Sequence, residues 1–87
     1  MPYIKPQDRD DILLDQTHIE DAGELNFYIT TIINQYIDKN TKCYTTLNEV
    51  IGVLECAKLE LYRRIIAPYE DTKIKQHGDV YTDSVKD

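Results

Sequence analysis

The chain has 87 residues, of which 41% are hydrophobic and 30% are charged, a composition typical of one small folded domain and not of a disordered segment. Sixteen acidic residues outnumber ten basic ones and give a net charge of −6. This balance argues against a binder of duplex nucleic acid, because such proteins gain affinity by neutralising phosphates. No apolar run approaches the roughly 20 residues that span a bilayer, and residues 1–5 are too polar for a signal peptide. We therefore expect a cytoplasmic protein without a membrane segment.

Residues 1–16 predict an N-terminal arm. Pro2, Pro6 and an acidic run that begins at Asp8 favour an extended chain with at most one helical turn around Ile12-Leu13-Leu14. We expect these three apolar residues to dock on the fold, because their burial is favourable. The acidic run could hold a hard cation, but a solvated arm is the commoner explanation.

A first helix is predicted over about residues 17–39. Two capping-box patterns precede it, one starting at Thr17 and the other at Asp21. Apolar residues then recur at spacings of three and four from Ala22 to Tyr36. Asn40 is a plausible C-terminal stop.

A second helix is predicted over about residues 46–66. Thr46 opens a third capping box, an apolar stripe runs from Leu47 to Leu61, and Pro68 is expected to end the helix near Ile66. The fold class is therefore all-α: an antiparallel two-helix hairpin with an N-terminal arm and a polar tail or lid over residues 67–87.

One hairpin buries little apolar surface, so we predict that the fold is completed by homo-oligomerisation. The side of the second helix away from its main stripe carries Gly52, Cys56 and Leu59, small or apolar residues that would let another copy approach. Cys43 and Cys56 lie too far apart along the chain's predicted helix to form a disulfide, and we expect two free thiols.

The sequence offers no catalytic set. With two histidines and one serine, no triad, phosphate loop or zinc site can be assembled. We expect no enzymatic activity, no cofactor and no metal.

A candidate ligand site lies near the end of the second helix. Lys58 projects into the apolar stripe at the level of Asn26, and such polar residues either satisfy one another or line a pocket. In the pocket hypothesis a small anionic ligand is held by basic, aromatic and amide side chains. These residues are Asn26, Lys58, Tyr62, Arg63, Arg64, Tyr69, Lys73 and Tyr81. The arginines alone need no function, since a helix C-terminus favours cations.

The chain also resembles a family of short proteins, without an assigned activity, encoded by tailed bacteriophages. The resemblance is carried by Gly23-Glu24-Leu25-Asn26, the runs from Asn48 to Gly52 and from Ala57 to Glu60, Tyr62-Arg63-Arg64, the run from Ala67 to Asp71, and Gly78-Asp79-Val80-Tyr81. Members often carry glutamate-asparagine in place of Gln76-His77 and glycine in place of Cys56. The resemblance implies a bacteriophage setting and a tail that belongs to the folded unit as far as Tyr81.

Three hypotheses on function follow from this setting. The first is a binding protein that sequesters a small anionic, nucleotide-like signal of host defence. The second is an adaptor or inhibitor that binds a host protein, and the third is a minor virion or assembly component. The first rests only on analogy with small nucleotide-binding phage proteins.

Overall fold

The computed structural model describes residues 3–87 and is all-α, with no strand in that range. The predicted all-α class is thereby confirmed, whereas the hairpin and its completion by homo-oligomerisation stay predictions. The chain divides into two units, Met1–Val50 and Ile51–Asp87, and each is described by itself. Met1 and Pro2, the first residues of the predicted arm, lie outside the described residues.

The N-terminal segment is mainly helical and not extended. Helix α1 spans Pro6–Leu14, with Lys5 as its N-cap residue and the proline in its first turn. Proline is tolerated there because the N–H it lacks would have no partner in a first turn. The prediction of an extended arm was wrong for these nine residues, since Pro6 starts the helix instead of preventing it.

One apolar side chain anchors α1 to the rest of the first unit. Ile12 has no exposed surface, and the Arg9 guanidinium lies 5.5 Å from the centre of the Phe27 ring, within the range of a cation–π interaction. Leu13 is half exposed and Leu14 is almost fully exposed. The predicted docking is therefore confirmed for Ile12 but not for the two leucines.

Helix α2 spans Ala22–Asn40, so it begins five residues later than predicted and ends one residue later. Its N-cap is Asp21, whose carboxylate accepts a hydrogen bond from the Glu24 N–H at 2.8 Å, while the Glu24 carboxylate accepts one from the Glu20 N–H at 2.8 Å. The second capping pattern thus starts the helix. Thr17 instead lies in a short 3₁₀ turn, Gln16–His18. The helix ends at Thr41, whose φ of 75° is unfavourable for a β-branched residue.

Helix α3 spans Tyr44–Leu61 and begins two residues earlier than predicted. The Cys43 carbonyl accepts a hydrogen bond from the Leu47 N–H at 3.0 Å, so Cys43 occupies the N-cap position. Thr46, predicted as the N-cap, lies within the first turn and is 3% exposed. The third capping pattern was therefore misplaced.

Two hydrogen bonds join α2 to the start of α3 within the first unit. The Thr46 hydroxyl donates to the Asn40 carbonyl at 3.3 Å. The Tyr36 hydroxyl donates to the Glu49 carboxylate at 2.9 Å. Both contacts hold the connector between the helices in place.

Pro68 does not end the helix in the second unit. A π-helical segment, Tyr62–Ile66, links α3 to helix α4, which spans Ala67–His77. The Ala67 N–H donates to the Tyr62 carbonyl, five residues back instead of four. This wider turn makes room for the proline ring, which in a regular α-helix collides with the carbonyl four residues earlier. The predicted stop near Ile66 was wrong for this reason.

The end of the chain is also structured. Helix α4 ends at Gly78, whose φ of 89° costs glycine little, and helix α5 spans Asp83–Lys86. The Asp79 carboxylate accepts hydrogen bonds from the Tyr81 N–H at 3.0 Å and from the Lys86 ammonium at 2.9 Å. Much of the segment predicted as a polar tail is therefore helical.

Neither unit encloses a substantial apolar core. Among residues 3–87, only Ile12 and Thr46 are buried. The apolar stripe of α2 is 39–49% exposed and that of α3 is 37–66% exposed; its members are Leu25, Ile29, Ile32 and Tyr36 on α2, and Leu47, Ile51, Leu54 and Leu61 on α3. No helix in the described part of the chain is long and apolar enough to cross a membrane.

Candidate functional site

Seven of the eight residues predicted to bind a ligand lie in the second unit, and Asn26 lies in the first. The stretch from Lys58 to Lys73 carries six of the seven on one continuous run of helix, and Tyr81 follows α4. In the first unit, the Asn26 side-chain amide oxygen accepts a hydrogen bond from the Thr30 hydroxyl at 3.3 Å, and the Asn26 backbone carbonyl accepts one from the same hydroxyl at 2.8 Å.

The cations at the end of α3 are paired with carboxylates of the same helix. The Lys58 ammonium lies 3.2 Å from the Glu55 carboxylate, and Glu60 lies 3.3 Å from the Arg63 guanidinium and 3.4 Å from that of Arg64. Spacings of three and four residues bring these side chains together on the helix surface. The Lys58 side chain is 69% exposed, so within one chain it does not point into a core, contrary to expectation. An anionic ligand would have to compete with Glu60 for both arginines.

Helix α4 adds an aromatic–cation pair. The Lys73 ammonium lies 5.3 Å from the centre of the Tyr69 ring, one helical turn away. Within residues 3–87, Lys73 forms no salt bridge. Among the four predicted basic ligands, Lys73 is thus the cation most available to an external anion.

The π-helical segment changes which residues meet Tyr62. Hydrogen bonding to the Glu70 carboxylate, together with the charge of that carboxylate, raises the pKa of the Tyr62 hydroxyl, and the nearby Tyr81 and Asp71 contribute less. Residues eight apart in an α-helix differ by about 80° in direction, but one extra residue in the wider turn reduces this to about 20°. The π-helical segment therefore brings Tyr62 and Glu70 onto the same face.

The three residues predicted to line an oligomer interface are accessible. A Cβ atom placed on Gly52 would meet nothing within 4 Å, and Cys56 and Leu59 are exposed. A glycine inside a helix costs roughly 0.5–1 kcal/mol relative to alanine. Space for a neighbouring backbone is one physical reason to retain it.

Sequence reasoning missed the environment of Cys43. Its sulfur lies 3.4 Å from the Thr46 hydroxyl. Hydrogen bonds from that hydroxyl and from the backbone N–H groups of Thr46 and Thr45 lower the pKa of the Cys43 thiol. The signal was a small polar side chain directly before the first helical turn, which is the position of an N-cap. Both cysteines are free, as predicted.

Two acidic residues of the arm and two near the start of α2 lie around a cleft in the first unit. Its lining consists of Asp8, Asp11, His18, Glu20 and Glu24. In the described residues, no group of three or more histidine, cysteine, aspartate or glutamate side chains is arranged to hold a metal ion. The cleft is a concentration of negative charge on the surface.

Comparisons with known proteins place the chain in a family but assign it no activity. No curated protein and no solved structure matches it. A family model does match, over residues 1–80, and describes a domain of unknown function. The match gives no indication of a bacteriophage origin, which stays a prediction. The chain belongs to the DUF6899 family.

Proposed function

We propose that the protein is a non-catalytic helical binding module that acts through its exposed apolar helix faces, and that its first partner is another copy of the same chain. The observation that supports this is the exposure of the stripes on α2 and α3, while Ile12 is the one buried apolar residue among those described. A monomeric soluble protein rarely leaves apolar side chains uncovered along whole helix faces.

The energy available at these faces is large enough to drive association. Full burial of a leucine or isoleucine side chain stabilises a protein by about 1.5–3 kcal/mol, so covering a half-exposed one gains roughly 1 kcal/mol. The four stripe residues on each of α2 and α3, taken over two copies, offer roughly 15 kcal/mol by the same rule. Association costs about 4–15 kcal/mol in lost freedom. One stripe alone gives at best a weak complex, whereas both together can give a stable one.

The finer arrangement is part of the proposal. In this arrangement each copy is an antiparallel hairpin of α2 and α3 whose two stripes face the second copy, so that the helices of both copies share one core with α3 at its centre. The second side of α3, with Gly52, Cys56 and Leu59, then offers a further contact where a neighbouring helix can approach closely. The apolar helix faces would then be fully covered only in the oligomer.

Two substitutions on neighbouring positions of α3 test the proposal. Leu54 lies in the stripe and Val53 lies about 100° away from it on the same helix. Light scattering and sedimentation should show an oligomer for the unmodified protein and for Val53→Glu, and a shift towards monomer for Leu54→Glu. A monomer at every concentration, or equal behaviour of the two variants, contradicts the proposal.

A second candidate function is the binding of a small anionic ligand. It is favoured by the Lys73–Tyr69 pair, where a cation without a carboxylate partner in the described part of the chain sits over an aromatic ring. In this account the other predicted basic residues, Lys58, Arg63 and Arg64, leave the carboxylates with which they pair and bind the anionic molecule instead. Isothermal titration with cyclic and ADP-ribose-type nucleotides tests this, with Lys75→Ala as the control for Lys73→Ala. Absence of binding, or equal loss in the two variants, rules it out.

The bacteriophage setting remains part of the proposal and specifies further partners. In that setting the protein would act in the host cytoplasm, on a host factor or in virion assembly. Recovery of one host protein by the unmodified chain but not by Leu54→Glu supports the first. Presence of the chain in purified virions supports the second.

A further inference from the structure

The apolar stripe of α3 is interrupted by one charged residue. Leu47, Ile51, Leu54, Lys58 and Leu61 follow one another along α3 at spacings of three and four, which places them along one side of the helix. A single polar residue within such a seam sets the register and orientation of paired helices, at some cost in stability.

We infer that Lys58 sets an antiparallel register between the α3 helices of two copies of the chain. The inference rests on the proposed self-association and adds to it the orientation of the partner. The occupant of this stripe is thus the same stripe of a second copy, running in the opposite direction.

Charge decides the orientation. In a parallel pair, Lys58 would face Lys58 of the second copy in one layer of the seam, and two like charges would be brought together. In an antiparallel pair that packs Lys58 against Leu54 of the second copy, the two lysines lie in separate layers. The same register places Ile51 opposite Leu61, so the layers on either side of the two lysine layers are wholly apolar.

The observed ion pair makes a lysine in the seam tolerable. The Lys58 ammonium lies 3.2 Å from the Glu55 carboxylate of its own chain, and Glu55 borders the stripe. The lysine can therefore lay its methylene groups over Leu54 of the second copy while its charge stays at the edge, beside Glu55 and in contact with water. Each chain supplies the counter-charge for its own lysine.

The size of the contact fits a pair that depends on its register. Complete covering of the exposed parts of Leu47, Ile51, Leu54 and Leu61, together with Ile65 in the π-helical segment that follows α3, would bury roughly 500 Å² per chain, or about 1,000 Å² for two chains, which is the lower limit of specific interfaces. The apolar surface buried in a contact of this size stabilises the pair only weakly. One misplaced charge would therefore decide between orientations.

Cysteine cross-linking tests the orientation. In a chain with Cys43→Ser and Cys56→Ser, one variant carries Ile51→Cys and another carries Leu61→Cys. We expect the mixed variants to form a disulfide under mild oxidation, because these positions face each other. Each variant alone should form little, since two copies of position 51 lie about 15 Å apart along the antiparallel pair and a disulfide needs Cα atoms within about 7 Å.

A second variant tests the role of the lysine itself. Lys58→Leu should tighten self-association about tenfold or more and should let the Ile51→Cys chain cross-link to itself, because the parallel orientation is no longer penalised. Lys75→Leu, on α4, is the control and should change neither property.

The outcomes separate this inference from the proposed function. A monomeric protein overturns both. An oligomer whose single variants cross-link as well as the mixture, or an oligomer without any cross-link at these positions, overturns the antiparallel register alone. Equal effects of Lys58→Leu and Lys75→Leu overturn the role of Lys58.

Discussion

Replacing Pro68 by alanine should convert the π-helical segment into ordinary α-helix. Proline has no N–H to donate, and its ring excludes the carbonyl four residues back; the wider turn over Tyr62–Ile66 accommodates both defects. Alanine restores the donor and removes the ring. Nothing would then favour the wider turn over a regular α-helical one.

The expected magnitude follows from the position of Pro68 between α3 and α4. Proline in a helix interior is about 3 kcal/mol less favourable than alanine. The π-helical segment has already relieved part of the ring clash, whereas the missing hydrogen bond accounts for about 0.5–1.5 kcal/mol. Pro68→Ala should therefore raise the free energy of unfolding by about 1–3 kcal/mol. In a domain of this size the melting temperature rises by about 4–8 °C for each kcal/mol.

Thermal unfolding followed by circular dichroism measures this change, and Pro6→Ala is the matched control. Pro6 lies in the first turn of α1, where proline is tolerated, so its replacement should change the melting temperature little. An unchanged or lower melting temperature for Pro68→Ala would contradict this account of the π-helical segment.

A second readout of the same variant is independent of stability. Loss of the extra residue turns α4 by about 100° relative to α3, which moves Glu70 away from Tyr62. The raised pKa of the Tyr62 hydroxyl should then fall towards the ordinary value for tyrosine. Ultraviolet titration, with Tyr62→Phe to identify the signal, measures this; an unchanged titration would show that the pairing does not depend on the wider turn.

Three further substitutions test local features of the first unit. Thr46→Val should raise the lowered pKa of the Cys43 thiol and slow its alkylation at neutral pH. Because the pKa is lowered in the folded state, the Cys43 thiolate also stabilises the fold at alkaline pH, and this stabilisation is lost as the pH falls through the folded-state pKa. Asp21→Ala should reduce the free energy of unfolding by about 1 kcal/mol through loss of the N-cap, whereas Thr17→Ala should change it little. Thr41→Gly should raise the free energy of unfolding by about 1 kcal/mol, because glycine relieves the strain of the positive φ. An unchanged melting temperature would mean that the backbone at Thr41 is unstrained.

The start of α2 was predictable because it depends on local hydrogen bonds. Asp21 and Glu24 stand at the spacing of a capping box, and both bonds form. The end of α3 was not predictable in the same way. The rule that proline stops a helix describes regular α geometry, and the wider turn that lets the chain continue past Pro68 leaves no local sequence pattern that distinguishes it from a stop.

The candidate site shows a different limit of sequence reasoning. The spacing of Lys58 places it on the side of α3 that carries the apolar stripe, but whether that side is covered depends on what packs against it. Among residues 3–87 of the single chain, nothing covers Lys58, which is exposed and pairs with Glu55 at the surface. A helical projection gives the direction of a side chain and not its burial, which requires the partner.

The mass of the unmodified protein in solution tests the central claim most directly. The chain has a mass of 10.2 kDa. If the exposed stripes of α2 and α3 bind a second copy, sedimentation equilibrium over a range of concentrations should give a mass that rises to a multiple of this value. The mass of a single chain at every concentration would contradict the account, provided that circular dichroism shows the protein to be folded.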